Sequence, residues 1–513
     1  MRELSSPRSA ATWVRSFGPV LLALSLALGG VPAVPALASD ANSAHIDRPV
    51  MQQMSAGRPV RVILVARQDV EGLFSDLRRS GIKGAVRVPI AHGVSAVLSP
   101  ERIAHYAADP NIVRIVYDAP VRLSDTAISA SQLVSLYPEI LDASPLWSNT
   151  YAPLTGNGIG VAVIDSGVQA VPDLGTRVLV NLNFNPNVTT ANDDFGHGTA
   201  IAGIIGGNGT ASQGQYIGMA PQVNLLNLRV NDGTGAAPAS AIMNAIVWAV
   251  NNKQAYNIRV INLSLVSTYA ESYRTSALDA AVEFAWLKGI AVVVAAGNSG
   301  PNSMLYAPAN DPYVITVGAT DDHNTPNPNW ETVATFSSYG VTQDGFSKPD
   351  LVAPGRYIVS NLATGSAFAL NYPTYQVGTQ YIQLAGTSMS AAEVSGSAAL
   401  YLEAHPSTHP AQLKSVLMAT AHKFGSNGLP VGAGSGYPDT KYAVNYSGLV
   451  GTADLGLIPN NYLQVMYMQA NTLTSTSTVS WDSVSWDSVS WSSVSWDSVS
   501  WSSVSWDGVS WDS

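Results

Sequence analysis

The stretch GIGVAVIDSGV, Gly158 to Val168, carries four consecutive apolar side chains, then an acid and a Ser-Gly pair. A strand with one wet face alternates apolar and polar residues. This one does not, so it reads as a strand covered on both faces. The same pattern returns in VNLLNLRV (223–230), IRVINLSL (258–265), GIAVVVAAGN (289–298) and YVITVGAT (313–320). Between these runs lie helical patterns. Ile242, Ala245, Ile246, Ala249 and Val250 share one face, as do Leu278, Ala281, Val282, Ala285 and Trp286, and Lys288-Gly289 closes the second helix. Buried strands alternating with helices predict an α/β domain over residues 131–455, with a mostly parallel sheet and helices on both faces.

Towards the N-terminus, residues 39–130 read as a separate small unit. The order is strand (VRVILVARQ), helix (VEGLFSDLRRSG), a strand pair broken at Gly93, helix and strand (NIVRIVYDAPVRL). Ser99-Pro100-Glu101 supplies an N-cap, a first-turn proline and a first-turn acid for the second helix. This is the pattern of an α+β ferredoxin-like module. Before it, Arg2, Arg8 and Arg15 precede the apolar stretch 20–28, and Ala36-Leu37-Ala38 suits a cleavage site, so residues 1–38 read as a signal peptide and the protein as secreted. The alternative is an uncleaved N-terminal anchor. No later stretch reads as transmembrane.

The chain has no cysteine, so stability outside the cell cannot come from disulfides. A net charge of −10 argues against nucleic acid as a partner. Residues 456–479 read as a linker. The tail, residues 480–513, repeats SWDSV-like units that place a tryptophan at every fifth position from Trp481 to Trp511. An odd period cannot hold every tryptophan on one strand face. A short-sided solenoid and a disordered, adhesive tail both remain open, and contact with a cell surface is an expected use of either.

In α/β sheets, chemistry gathers beyond the carboxyl ends of the strands. Asp165 stands there in VAVIDSGV, Asn298 ends VVVAAGN, His197 lies between glycines in DDFGHGTAIAGIIGG, and Ser388 opens a helix in AGTSMSAAEVSG. Three of them have a plainer reading alone, turn residues for Asp165 and Asn298 and a helix start for Ser388, whereas core packing explains a histidine between glycines poorly. Ser390 and Glu393 are spaced as a capping box for that helix. Taken together, an acid, a histidine, an amide and a serine are what acyl transfer requires. A serine hydroxyl needs a base to remove its proton and a carboxylate to orient that base.

The segments VAVIDSGV, FGHGTAIAG, AAGNSG and AGTSMSAAEVSG resemble the four signature blocks of the subtilisin-like serine peptidases, the subtilases, and they span most of residues 155–405. The resemblance implies a subtilisin-like fold and a serine endopeptidase. Asp165 would be the orienting acid, His197 the general base and acid, and Ser388 the nucleophile. Asn298 would supply an oxyanion-hole N–H beside the Ser388 backbone N–H. It further implies that residues 39–130 are a propeptide, an intramolecular inhibitor removed on activation. The expected partners are therefore protein or peptide substrates and the chain's own propeptide.

The segment INLSL is similar to the one that pairs with substrate backbone, which makes Ser264, Leu265 and Val266 substrate-binding candidates. Val266-Ser267 replaces two glycines common in relatives, and Tyr306 falls where a small residue often floors the first pocket. The expectation is a narrow pocket for Ala or Gly. Ala392-Glu393 replaces the usual Pro-His. Asp173 matches a calcium-ligand position of some members, so structural calcium is an expectation, while the chemistry needs no cofactor. A reading from another class is a surface or matrix binding protein that acts through its tail, with a weak or vestigial peptidase domain.

Overall fold

The computed structural model describes residues 44–123, 136–147, 152–328, 330–425 and 428–463. The expected signal peptide, the junction at 124–130 and the repeat tail lie outside the described residues. Among the described residues, no helix is long and apolar enough to cross a membrane.

The N-terminal module contains β1 (His45–Ile46), α1 (Arg48–Ser55), β2 (Val60–Ala66), α2 (Val70–Arg79), β3 (Val86–Val88), β4 (Gly93–Leu98), α3 (Pro100–Ala107), β5 (Ile112–Tyr117) and β6 (Pro120–Leu123). The Asp69 carboxylate caps α2 by accepting from the Gly72 N–H at 2.7 Å, and the Ser99 hydroxyl caps α3. The sheet order is β1-β5-β2-β4-β3. Strand alternation divides its two faces. Val62, Leu64 and Ala66 pack with Leu73, Leu77 and Ile103 of the helices, whereas Ile63 and Val65 join the core of the larger region. Both faces of this sheet are therefore covered.

In the larger region the site-bearing elements are β7 (Gly160–Asp165), β8 (Val178–Asn183), α4 (His197–Gly206), β9 (Asn224–Arg229), β10 (Ala236–Pro238), α5 (Ala239–Asn251), β11 (Ile258–Leu263), β12 (Leu265–Ser267), α6 (Ala277–Leu287), β13 (Ala291–Ala295), β14 (Ile315–Asp321), β15 (Leu351–Pro354) and α7 (Thr387–Ala404). Strands run in the order β14-β13-β11-β7-β9-β8, and every pair among them is parallel, as is β15 on β14. Only the short strand Thr332–Val333 joins this sheet antiparallel among the described residues. The expected mostly parallel α/β fold is what forms. Helix α7 is buried from Thr387 to Leu400, as a helix of small and apolar residues on all sides should be. Gly396 lets it approach its neighbours, since a Cβ there would fall 2.3 Å from the Met219 Cβ.

Two features join the module to the larger region. The Asp118 carboxylate accepts from the Ser240 N–H (3.0 Å) and hydroxyl (2.8 Å), at the first turn of α5, and from the Ser95 hydroxyl (2.6 Å). It thus puts a negative charge where the helix has unpaired N–H groups. Beyond it, β6 lies between β10 and β12 and is antiparallel to both.

The compact region also extends further than expected. Residues from 456 onward read as linker, yet Asn460, Tyr462 and Leu463 are buried. Asn460 is anchored by the Glu283 side chain of α6 and by carbonyls of the turn before it, and Tyr462 lies under Arg114 of β5; these partners are distant in sequence, and a local reading of composition carries no trace of them.

Candidate active site

Strands β13, β11 and β7 are immediate neighbours, and three of the expected residues lie at their carboxyl ends. Asp165 is the last residue of β7, Ser264 follows β11, and Asn298 follows β13 after a two-residue turn, Ala296-Gly297. Gly297 takes the positive φ of 100° that this turn needs. His197 is the first residue of α4, and its Nδ1 lies 2.7 Å from Asp165 Oδ1, with both side chains fully buried. Gly198 makes that approach possible, because a Cβ there would fall 2.1 Å from the Gly167 carbonyl oxygen and 3.1 Å from Asp165.

A second acid, not singled out from the sequence, fixes this corner. Asp193 Oδ1 accepts from the Ser166 hydroxyl (2.8 Å) and the Gly196 N–H (2.7 Å), while Oδ2 accepts from the Thr199 N–H (2.8 Å) and hydroxyl (2.6 Å). Burial pushes its carboxyl above the ordinary range, against the pull of those four donors. Ser166 in turn accepts from the Gly198 N–H at 2.9 Å. The acid four residues before His197 is the available sequence signal.

Ser388 is the second residue of α7. Its Oγ donates to the Ser264 carbonyl at 3.4 Å, and the Ser264 hydroxyl donates to the Ser388 carbonyl at 3.1 Å. Asn262 Nδ2 donates to the Ser264 hydroxyl at 2.9 Å. Asn298 Oδ1 accepts from both the N–H and the hydroxyl of Thr387, each at 3.0 Å. The amide oxygen is thus committed to the start of α7, one residue before Ser388.

The substrate-strand candidates are also brought together. Leu265 and Val266 lie in β12, opposite Leu123 and Arg122 of β6. A Cβ on Gly297 would come within 3.6 Å of Val266 Cγ1, so the valine reaches across to the turn that carries Asn298. Tyr306 is half-buried, and its backbone bridges Ala270 at the far end of this segment. That position neighbours β12, since the Ser267 N–H donates to the Ala307 carbonyl at 2.7 Å.

Two expectations meet a different structure. Ser390 and Glu393 form no capping box. Helix α7 begins at Thr387 with Gly386 as N-cap, so Ser390 lies inside it and donates to the Ala353 and Pro354 carbonyls. Asp173 does not fit a calcium ligand. One carboxylate oxygen accepts from the Ala211 N–H (2.7 Å), the other from Asn361 Nδ2 (2.9 Å) and the Tyr381 hydroxyl (2.6 Å). Among the described residues no group of three or more His, Cys, Asp or Glu is arranged to hold a metal.

Glu393 instead lies fully buried with neither carboxylate oxygen hydrogen-bonded among the described residues, and burial, then the charges of Asp322 and Glu331, push its carboxyl well above the usual range. Burial also raises Asp322 to about 6 and Glu331 to about 7. Each of these acids holds its proton more tightly in the fold than in the open chain. Their stabilising effect is complete below about pH 4.5 and is lost as pH rises towards 7 and beyond. In a Ser388→Ala background, Glu393→Gln is expected to raise the melting temperature by a few degrees at pH 8 and to change little at pH 4. An equal shift at both values would contradict this account.

The family model described as the Subtilase family matches residues 156–436. Serine protease AprX of Bacillus subtilis (strain 168) is 38% identical over 270 residues, covering 52% of this chain and 61% of that protein. The alkaline protease of Alkalihalobacillus alcalophilus is 33% identical over 342 residues, covering 66% and 76%. Subtilisin NAT of Bacillus subtilis subsp. natto is 30% identical over 427 residues, covering 82% and 96%. The family match takes in more than half of the sequence and reaches from the turn before β7 past the end of α7, so the chain belongs to the subtilase family and is a serine endopeptidase.

Proposed function

We propose that the chain is an exported, self-activating endopeptidase whose catalytic groups are Asp165, His197 and Ser388. Ser388 Oγ bonds to the scissile carbonyl carbon while His197 takes its proton, and Asp165 holds the histidine by Nδ1. The histidine returns the proton to the departing amine, the C–N bond breaks, and water then hydrolyses the acyl-enzyme by the same route. With its oxygen held by Thr387, the Asn298 amide offers its nitrogen to the developing oxyanion, beside the Ser388 N–H at the helix start.

The observation that carries this reading is the seating of β6. A peptide strand of this same chain runs antiparallel to β12 and leads its carboxyl end towards Ser264 and Ser388. That is how an edge-bound substrate would lie. It supports the module at 39–130 as a propeptide that fills the cleft until it is cut. Arg122 pairs with Val266, and Leu123, the last described residue of β6, pairs with Leu265, which adjoins Ser264. The expected self-cleavage is therefore between Ser124 and Asp125, after a small residue. The arginine-led apolar N-terminus supports export, and the repeat tail remains a candidate for surface contact. The alternative of a binding protein with a decayed peptidase finds no support in a chain that keeps all four chemical groups.

The test is covalent. A fluorophosphonate should label one residue, Ser388, by peptide mapping, and the matured chain should begin at Asp125. Labelling elsewhere would overturn the assignment.

Val266 gives a specificity prediction. Val266→Gly should raise kcat/KM for Phe relative to Ala at the cleaved position by about 10- to 100-fold, the scale set by a methylene or two in a pocket. Peptide-library profiling of both forms measures it. An unchanged profile would remove Val266 from the pocket wall.

A further inference from the structure

The buried end of the described chain is held from two sides. On the larger region, the Trp286 indole N–H donates to Asp454 Oδ2 (2.8 Å), the Tyr273 hydroxyl donates to the Ile458 carbonyl (2.8 Å), and the Asn460 N–H donates to Glu283 Oε2 (2.9 Å). Asn460 Nδ2 also donates to the carbonyls of Tyr273 and Ser276, and the Asn461 N–H donates to the Arg274 carbonyl at 3.0 Å. On the other side stands the module. The Arg114 guanidinium of β5 lies 4.8 Å from the centre of the Tyr462 ring, and Asp47 pins that arginine at 2.8 Å.

We propose that the N-terminal module latches the end of the described chain, so that its departure uncovers Tyr462 and Leu463. The departure itself rests on the self-activation read above; the latch does not. The physical case is a division of labour. Residues 454–461 are tied to α6 and the turn before it by backbone and side-chain hydrogen bonds that remain when the module leaves. Tyr462 has a different support, a cation over its ring, and that cation belongs to the part to be removed. The Tyr462 N–H is held by Asn460 Oδ1 (2.8 Å), but its hydroxyl is buried without a hydrogen-bond partner among the described residues, so it is the ring rather than the backbone that depends on the arginine. Leu463, buried beside it, would be uncovered with it.

Hydrogen exchange on the full chain tests the latch in a Ser388→Ala background, where the module stays attached. Adding Arg114→Ala should speed exchange at residues 462–463 by on the order of tenfold, while 454–460 and β2 keep their protection. Coupling is reciprocal, so Tyr462→Ala should loosen β1 and β5 around Arg114. Unchanged exchange at 462–463 with Arg114→Ala, together with unchanged β1 and β5 with Tyr462→Ala, would overturn the latch. A third comparison uses wild-type enzyme matured and then blocked with fluorophosphonate, which should exchange at 462–463 as the arginine variant does. Failure of the wild type to mature would count against self-activation alone, because the two variant comparisons do not depend on it.

Discussion

Ser388→Ala is expected to give a chain that folds, keeps its N-terminal module and hydrolyses nothing measurable. The loss should reach at least about 10⁴-fold in kcat, a scale known for serine-peptidase triads rather than derived from this geometry. The fold should tolerate the change. The Ser388 hydroxyl makes a long 3.4 Å contact to the Ser264 carbonyl, whereas the firmer bonds at this point come from Ser264 and Thr387. Intact mass should show the junction at 124–125 uncut in the variant and cut in the wild type. A variant that still cuts itself at high dilution would mean that another residue is the nucleophile.

The second large effect is expected at Asn298. Asn298→Ala should lower kcat by about 10²- to 10³-fold with little change in KM, a range established for oxyanion-hole donors in related enzymes. It should also destabilise the chain, because the Thr387 N–H and hydroxyl both lose their acceptor, at a cost of about 1–3 kcal/mol. Asn298→Asp separates the two roles. It keeps the acceptor and adds a negative charge at a helix start, so stability should hold. It offers no donor and repels the oxyanion, so activity should fall at least as far as in the alanine variant. Melting curves and steady-state kinetics on both variants decide the matter, and an active Asn298→Asp enzyme would exclude the amide from oxyanion binding.

Much of the fold is legible because its strands carry a signal that local sequence can express. Apolar runs such as VAVI and AVVVA allow little but a doubly covered strand, and the residues at their ends can therefore be placed from sequence. The module is legible through the cap at Ser99 and through the basic residues and glycine that close its earlier helix. Local reading fails where a residue's partner is remote. Ser390 and Glu393 have capping spacing, but spacing does not reveal that Gly386 starts the helix, or that Ala353 and Pro354 supply the acceptors for Ser390. Thr387 is a common polar residue whose role comes through Asn298, far off in sequence, and Asp193 and Asn262 join local partners to the remote Ser166 and Ser395. The surroundings of Asp173 are hidden for the same reason, since its carboxylate is engaged by Asn361 and Tyr381 from far along the chain.

Under the self-activation proposed above, the seating of β6 would give maturation a clock. Once the junction was cut, the strand would be no longer a substrate but a bound product, and the enzyme would stay silent until that product left. Each contact that holds it, the β10 and β12 ladders and the Asp118 bonds to Ser240, would then lengthen the wait rather than slow the cut. A progress curve begun from the uncut chain would then show a lag. A lag that does not change with enzyme concentration would mark spontaneous departure, and one that shortens as concentration rises would mark destruction of released modules by enzymes already free.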